Sequence, residues 1–349
     1  MGFASRAKLV LVALGHPLKN ILTQPLVSGP FPYPLLLVAV NQLSNVVLGV
    51  CAWSCGGLPL TGKPSPRDYM RVYGPIAFLR FSFNACRTIS LMYLTLPMFV
   101  IVSCVKTPLT YVVSTLLGMD HCSIRMSLVM LGIWLATLSA VLCGHHDFEK
   151  ATVAQIPGIS FSLAAAVSDV ALNLLIQKAA KDVPSLTLLA RTTPLYTCFA
   201  IAGVGIFEAS QLRQDAALPF PPSASWAYWL MAGTCILSPL LGYVDCETVG
   251  NFGAVGYALV ARFHGVLMFA VGIFIFRQPF TWAQVVSYIA LMLLLVAAAK
   301  WKADARRLAK GCDDSASSGE STGSEQPTAI GCASDSGSEA KHDTEGDSQ

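Results

Sequence analysis

Apolar residues in this chain come in repeated runs of about 20, the length an α-helix needs to cross a bilayer. Ten such spans are predicted, over residues 7–27, 33–53, 70–90, 94–117, 126–144, 155–178, 185–207, 225–245, 251–276 and 280–300. The first is the least regular, since Lys19 and Asn20 interrupt it. Polar connections are mostly short. The longer ones are 54–69, with Pro64 and Pro66, and 208–224, with Pro219, Pro221 and Pro222. The pattern predicts an all-α polytopic membrane protein. Composition agrees: 54% of the 349 residues are hydrophobic and 12% are charged, and the mean hydropathy is +0.58.

Charge adds an orientation. With both termini in the cytosol, that side carries 13 Lys and Arg between or beyond the spans, against Lys150, Arg213 and Arg277 on the other side. This bias is the positive-inside pattern, and it needs an even number of spans. The net charge of +3 also conceals a division. Nine of the 20 acidic residues and one of the 23 Lys and Arg lie in 311–349, which leaves 22 basic and 11 acidic residues in 1–310. Residues 311–349 are rich in Ser, Gly, Glu and Asp, and are expected to be a disordered acidic cytosolic tail. Ser317, Thr322 and Ser336 each precede a Glu by three residues, a short acidophilic-kinase pattern; an unmodified tail is the simpler reading.

Ten spans divide into five and five, over residues 1–150 and 151–310. An odd-numbered half inverts its second copy, so two inverted five-helix repeats are expected, with a substrate site between them near the midplane. Spans four and nine would be repeat mates, and both carry cations near their centres: Lys106 in one, Arg262 with His264 in the other.

A cation at mid-bilayer costs roughly 2.5–3.5 kcal/mol on insertion scales, so each of these needs a reason. Either Arg262 pairs internally and His264 fills a gap between helices, or both line a water-filled path to an anionic solute. Lys106 lies between Pro97 and Pro108, which predict a bent or broken helix. Such backbone is tolerated at membrane depth where it is buried in protein or lines a cavity. Arg80 and Arg87 share one face of span three; Arg87 is expected to snorkel and Arg80 to pair or join the path. Asp169 is the clearest acid within a span, and a counter-ion to Lys106, Arg80 or Arg262 is its expected role. Arg191 is expected to snorkel, and Asp245 and Glu247 to lie on a solvated rim at the cytosolic end of span eight. Tyr93, Tyr111, Tyr243 and Tyr257 are candidate stacking rings, although aromatics in such helices more often pack or anchor.

Other chemistry has little footing. His145, His146 and Asp147 have no companion cluster that would complete a metal sphere. The 11 cysteines form no framework, and five of them (Cys86, Cys104, Cys143, Cys198 and Cys235) lie in apolar runs. The first residues fit neither a cleavable signal nor a myristoylation pattern. No phosphate loop, HExxH or nucleophile–base set occurs, so no enzyme, no cofactor and no nucleic-acid partner is expected.

Four segments resemble the drug/metabolite transporter superfamily, in particular its nucleotide-sugar and triose-phosphate transporter branch. They are Lys19-Asn20 with Phe31-Pro32-Tyr33-Pro34-Leu35; Ser90 through Pro97-Met98-Phe99; Ser168-Asp169 with Gln177-Lys178; and Gly253-Ala254-Val255-Gly256-Tyr257 through Gly265. Among these, Leu96-Pro97-Met98-Phe99 is similar to the Leu-Pro-Met-Phe stretch of the GDP-mannose and UDP-sugar group. There are departures: Ser103-Cys104 stands where that group has basic residues, and His264 stands where it has Lys. The resemblance implies a nucleotide-sugar/nucleoside-monophosphate antiporter of the Golgi or endoplasmic reticulum membrane. Its substrate contacts are expected among Lys106, Arg262, His264, Arg80, Asp169 and Tyr257. The expected partners are an anionic small molecule, the lipid bilayer and, as the one protein partner kept open, a second copy in a homodimer. A sugar-phosphate/phosphate exchanger of an organelle membrane is the alternative within transporters. A non-transporting scaffold that presents the acidic tail is the alternative outside them.

Overall fold

The computed structural model describes residues 3–29, 31–54, 65–119, 123–143, 148–214, 225–278 and 281–317. Every regular element among them is helical. In order these are α1 (Phe3–Val27), α2 (Pro34–Ser54), α3 (Pro66–Tyr93), α4 (Leu96–Ser103), α5 (Lys106–Leu116), α6 (Ile124–Cys143), α7 (Phe148–Ala179) and α8 (Ser185–Gly203). A π-helical turn (Val204–Glu208) then leads into α9 (Ala209–Gln214), followed by α10 (Trp226–Phe274) and α11 (Trp282–Ser317). Residues 1–304 form one compact unit. Of the second unit, residues 305–349, those described are helical. Of the expected tail over 311–349, residues 311–317 continue α11 as helix, while the part from 318 onward, and the His145-His146-Asp147 stretch, lie outside the described residues.

Seven helical segments among the described residues are long and apolar enough to cross a membrane: Pro34–Cys51, Leu96–Leu116, Ile124–Leu142, Gln155–Ala179, Ser185–Gln214, Trp226–Leu259 and Trp282–Trp301. The chain is thus an all-helical, multi-pass membrane protein. Its outer surface fits that solvent. Leu128, Leu131, Trp134, Leu135, Leu138 and Leu142 stand exposed along α6, as do Trp282, Val286, Ile289, Leu293 and Val296 along α11. Both rows recur at three to four residues, the stripe of a helix with one apolar face outward.

Two of the long helices are interrupted, each for a legible backbone reason. Pro108 has no N–H to return to Cys104, so the Cys104 carbonyl accepts from Thr107 N–H at 3.2 Å and the chain turns between α4 and α5. Pro97 does not bend anything. It sits in the first turn of α4, where a missing N–H costs little, and Leu96 N–H donates to Gln278 Oε1 at 2.8 Å. The second break is inside α10. Gly253 has φ 72° and ψ 166°, a region open essentially to glycine alone. Ala254 N–H, left without a helical partner, donates to Gln177 Oε1 on α7 at 2.8 Å.

The predicted loop over 208–224 starts later than expected. The π-helical turn carries the helix past Gly203 to Gln214 and turns Glu208 inward. Its carboxylate accepts from Leu35 N–H and Leu36 N–H, both at 2.8 Å, at the N-terminus of α2. A negative group there meets both orphan donors and the positive end of the helix dipole.

Inside the bundle, α1 runs along α10 and α3 along α7, while α8 packs on both α2 and α3. The largest apolar cluster gathers Leu26, Phe31, Leu37, Leu91, Leu96, Ile101 and Met268. A further cluster, around Tyr73, Ile76, Leu188 and Val249, includes Tyr257. Between these clusters the interior turns polar.

Candidate functional site

Five helices contribute polar stripes to that interior, each at helical spacing. On α1 the stripe is His16, Lys19, Asn20 and Thr23; on α3 it is Arg80, Asn84, Arg87 and Thr88. Asp169 and Asn173 come from α7, Asn41, Gln42 and Asn45 from α2, and Ser238, Gly242 and Asp245 from α10. Residues three, four or seven apart share a helix face, so each stripe follows from its sequence spacing. These side chains wall a cavity of about 910 Å³, measured with the space open at its mouth. An adjoining cavity, of about 530 Å³ on the same measure, adds Lys106, Ser103 and Phe99. The two share His16, Asn20, Phe83, Arg87, Asp169 and Tyr257, so they form one continuous polar interior.

Lys106 is the first residue of α5, placed inward by the break before it. Its ammonium forms an ion pair with the Asp169 carboxylate; the two residues are 6% and 3% exposed. Asn173 Nδ2 donates to Asp169 Oδ1 at 3.1 Å from one turn along α7. The Lys106 ammonium also lies 5.2 Å from the centre of the Tyr257 ring and 5.9 Å from that of Phe83, within cation–π range. The other carboxylate, Asp245, is tied to His16 Nε2 at 2.8 Å and accepts from the Tyr257 hydroxyl at 2.9 Å.

The remaining cations meet neutral groups. Lys19 Nζ donates to Ser238 Oγ at 3.1 Å. Arg80 Nη2 donates to the Gly242 carbonyl at 3.2 Å and reaches Cys246 Sγ at 3.9 Å. A Cβ at Gly242 would stand 3.1 Å from that nitrogen, so the small residue lets the guanidinium lie against α10. Arg87 donates to Asn20 Oδ1 and lies 5.6 Å from the centre of the Phe83 ring; Asn20 Nδ2 in turn contacts Met268 Sδ at 3.0 Å. Among the described residues, two guanidinium groups (Arg80 and Arg87) and two amines (Lys19 and Lys106) face this interior with two carboxylates, Asp169 and Asp245. An interior of low dielectric with that imbalance attracts anions.

Of the residues singled out by sequence, Lys106, Arg80, Asp169 and Tyr257 line this interior together. Arg262 and His264 lie on the helical backbone after Gly253, and their side chains are outside what the structure describes. Arg87 does not snorkel: it is bonded inside the bundle. Arg191 does not reach for solvent either, since its Nη1 donates to the Tyr73 hydroxyl at 2.8 Å. Asp245 lines the cavity and is no solvated rim. Tyr93 stands exposed and Tyr111 bonds back to Ser123 and Ser127, so neither joins the site.

His16, Asn41, Gln42, Asn84 and Asn173 carried no signal as single residues. A signal existed in their spacing. The interruption of the first span by Lys19 and Asn20 is one turn of a stripe that also holds His16 and Thr23.

No family model and no curated protein matches the chain. One solved crystal structure, described only as that of a protein, is similar to it, with a TM-score of 0.57 and 16% sequence identity over 87% of this chain and 99% of the other. A likeness at that identity bears on the fold alone.

Proposed function

We propose that the chain is a secondary transporter for an organic anion carrying phosphate, a nucleotide-sugar/nucleoside-monophosphate antiporter of the Golgi or endoplasmic reticulum membrane. The observation that carries this reading is the continuous interior faced by Arg80, Arg87, Lys106 and Lys19 and, among the described residues, by two carboxylates. A scaffold has no use for so many cations in one cavity, whereas a phosphate-bearing solute supplies the missing negative charge. Phe83 and Tyr257 offer ring faces beside the same cations.

The reading includes ten spans in two inverted halves, with both termini in the cytosol. At 49 residues, α10 would be about 74 Å long as a straight rod, over twice the thickness of a bilayer core, and a break at Gly253 would let it make two passes. The helix contacts are also compatible with an internal repeat, inverted or not. If α1 matches α7, α2 matches α8 and α3 matches the first part of α10, then α1 along α10 corresponds to α3 along α7. By the same exchange α2 on α10 corresponds to α8 on α3, and α2 on α8 maps to itself. The site then lies between the halves, where rocking of one against the other gives alternating access.

The test is exchange in proteoliposomes with UDP-, GDP- and CMP-sugars set beside triose and hexose phosphates. Counter-transport of a nucleotide sugar for its monophosphate is the expected result. Exchange of sugar phosphates alone would move the assignment to the sugar-phosphate/phosphate class. Exchange of none, by protein that remains monodisperse in detergent, would remove the transport reading.

A further inference from the structure

The hydrogen bonds made by α10 order the cavity wall by depth. Thr234 Oγ1 donates to Asn41 Oδ1 at 3.0 Å, Ser238 Oγ accepts from Lys19 at 3.1 Å, and the Gly242 carbonyl accepts from Arg80 at 3.2 Å. These positions are four residues apart, so successive levels are about 6 Å from one another along the helix. The α2 amides thus lie about one turn from Lys19 and about two turns from Arg80.

This end of the cavity is polar but uncharged. Asn41 is 7% exposed and Gln42 is 2% exposed, and both line the cavity. The Asn41 carbonyl oxygen is taken by Thr234, and the Gln42 carbonyl oxygen accepts from Asn45 Nδ2 at 2.6 Å. Each amide is therefore fixed through its oxygen, and its NH₂ group has no partner among the described residues. Asn45 Oδ1, at the end of the same chain of bonds, is buried with no hydrogen-bond partner in the structure. Buried amide donors and acceptors are normally satisfied, and leaving one unmade is costly. Two oriented donors and one unmet, buried acceptor on a single helix are an unfinished hydrogen-bonding set.

We infer that Asn41, Gln42 and Asn45 form a specificity subsite for the hydroxylated, glycosyl part of the transported anion, one helical turn from the cations that hold its phosphate. This rests on the transport reading and adds the part of the substrate that α2 recognises. A sugar hydroxyl both donates and accepts, and so suits amide NH₂ groups beside an amide oxygen. A nucleobase is held by stacking together with edge hydrogen bonds, whereas a sugar is held by its hydroxyls alone. The rings of Phe83 and Tyr257 lie at the Lys106 level, while Tyr196, packed against Val38, Ala39 and Ala77, also lines the cavity. No acid lies on α2, so a phosphate is not repelled from this end; the cations one and two turns away simply hold it better.

The experiment uses the full chain in proteoliposomes and starts from the panel member that it exchanges. Half-saturation is measured for that glycosyl ester and for its counterpart without the sugar (UMP, GMP, CMP or inorganic phosphate). Gln42→Met and Asn41→Leu keep volume and remove the donors. Each should weaken the glycosyl ester about three- to tenfold while the counterpart stays within about twofold. Equal weakening of both ligands, or of neither, overturns the assignment: the first makes α2 a support for the phosphate or base site, the latter a packing wall. If one variant fails to fold, the other is decisive, since each removes a donor of the same set. If the unmodified chain exchanges no member of the panel, the transport reading itself falls, an outcome distinct from either of these.

Discussion

Glu208 and the cavity pair Asp169 and Asp245 are all carboxylates inside the helical bundle, yet they are held in opposite ways. Glu208, 4% exposed, is bonded by two backbone N–H groups at the start of α2. Those donors cannot turn away without unwinding the helix. Asp169 and Asp245 are held by side chains, an ammonium, an imidazole, an amide and a phenol, all on the wall of a cavity. Side-chain donors can swing to another anion at the cost of a rotamer. A carboxylate met by backbone therefore fixes architecture, and one met by cationic side chains keeps a place that a substrate phosphate can contest.

Four substitutions test that contrast. The largest effect belongs to Lys106→Ala. It strands Asp169 in a buried position, and loss of one partner from such a pair costs about 3–5 kcal/mol. Detergent-solubilised protein should unfold at clearly lower temperature, and adding Asp169→Asn should restore most of the loss. If the double variant is as unstable as the single, the pair is not what Lys106 stabilises. Next is Glu208→Ala, which leaves two helix N-terminal donors unmet in the interior and should cost about 2–3 kcal/mol in the same unfolding assay. Exchange per folded molecule should be unchanged; a selective loss of exchange would place Glu208 with the cavity carboxylates.

Arg80→Met comes third. Arg80 bonds a carbonyl and a sulfur, so little stability is expected to go with it. Half-saturation for the transported anion should rise about tenfold, worth about 1.4 kcal/mol. Smallest is Tyr257→Phe, which removes one hydroxyl bond to Asp245. Such interactions within membrane bundles average about 0.6 kcal/mol, so a small shift in unfolding temperature is expected, with the cation–π contact to Lys106 retained. A loss several times larger would mean that the hydroxyl holds more than Asp245.

How much of this could be read from the chain differs by level. Apolar run length located the helices, because crossing a bilayer demands it. Proline chemistry foretold the break before Lys106, though Pro97 proved to start a helix and Pro108 alone ended the pairing. The Gly253 break was not foreseen. Its cause is a positive φ, and glycine in a small-residue run reads equally well as close packing. Glu208 was missed for a related reason: a charged residue at the end of an apolar run resembles the first residue of a loop until the π-helical turn carries the helix past it.

Within the site, Lys106 and Arg80 were visible as cations and Asp169 as a counter-ion, but Lys19 and Arg87 were not, nor was which cation Asp169 would take. Lys106 finds Asp169 across 63 positions of sequence, a choice set by how α5 meets α7. Asp245 and Arg87 were misplaced because depth was judged from position along a span, as if every helix stood upright and alone. The stripes His16–Lys19–Asn20–Thr23 and Arg80–Asn84–Arg87 held the better information, since a face shared by several polar residues must turn away from lipid.

The bond from Ala254 to Gln177 has a mechanical meaning. An unbroken helix is a stiff lever: tilting one end tilts the other. At Gly253 that lever is cut, and the cut end is fastened sideways to α7. The two parts of α10 can therefore run in different directions and still meet across the break, where the Tyr257 hydroxyl donates to Asp245 at 2.9 Å. The start of the second part is pinned to α7 twice over, by the Gln177 amide and by the packing of Ala254 on Val170 and Leu174.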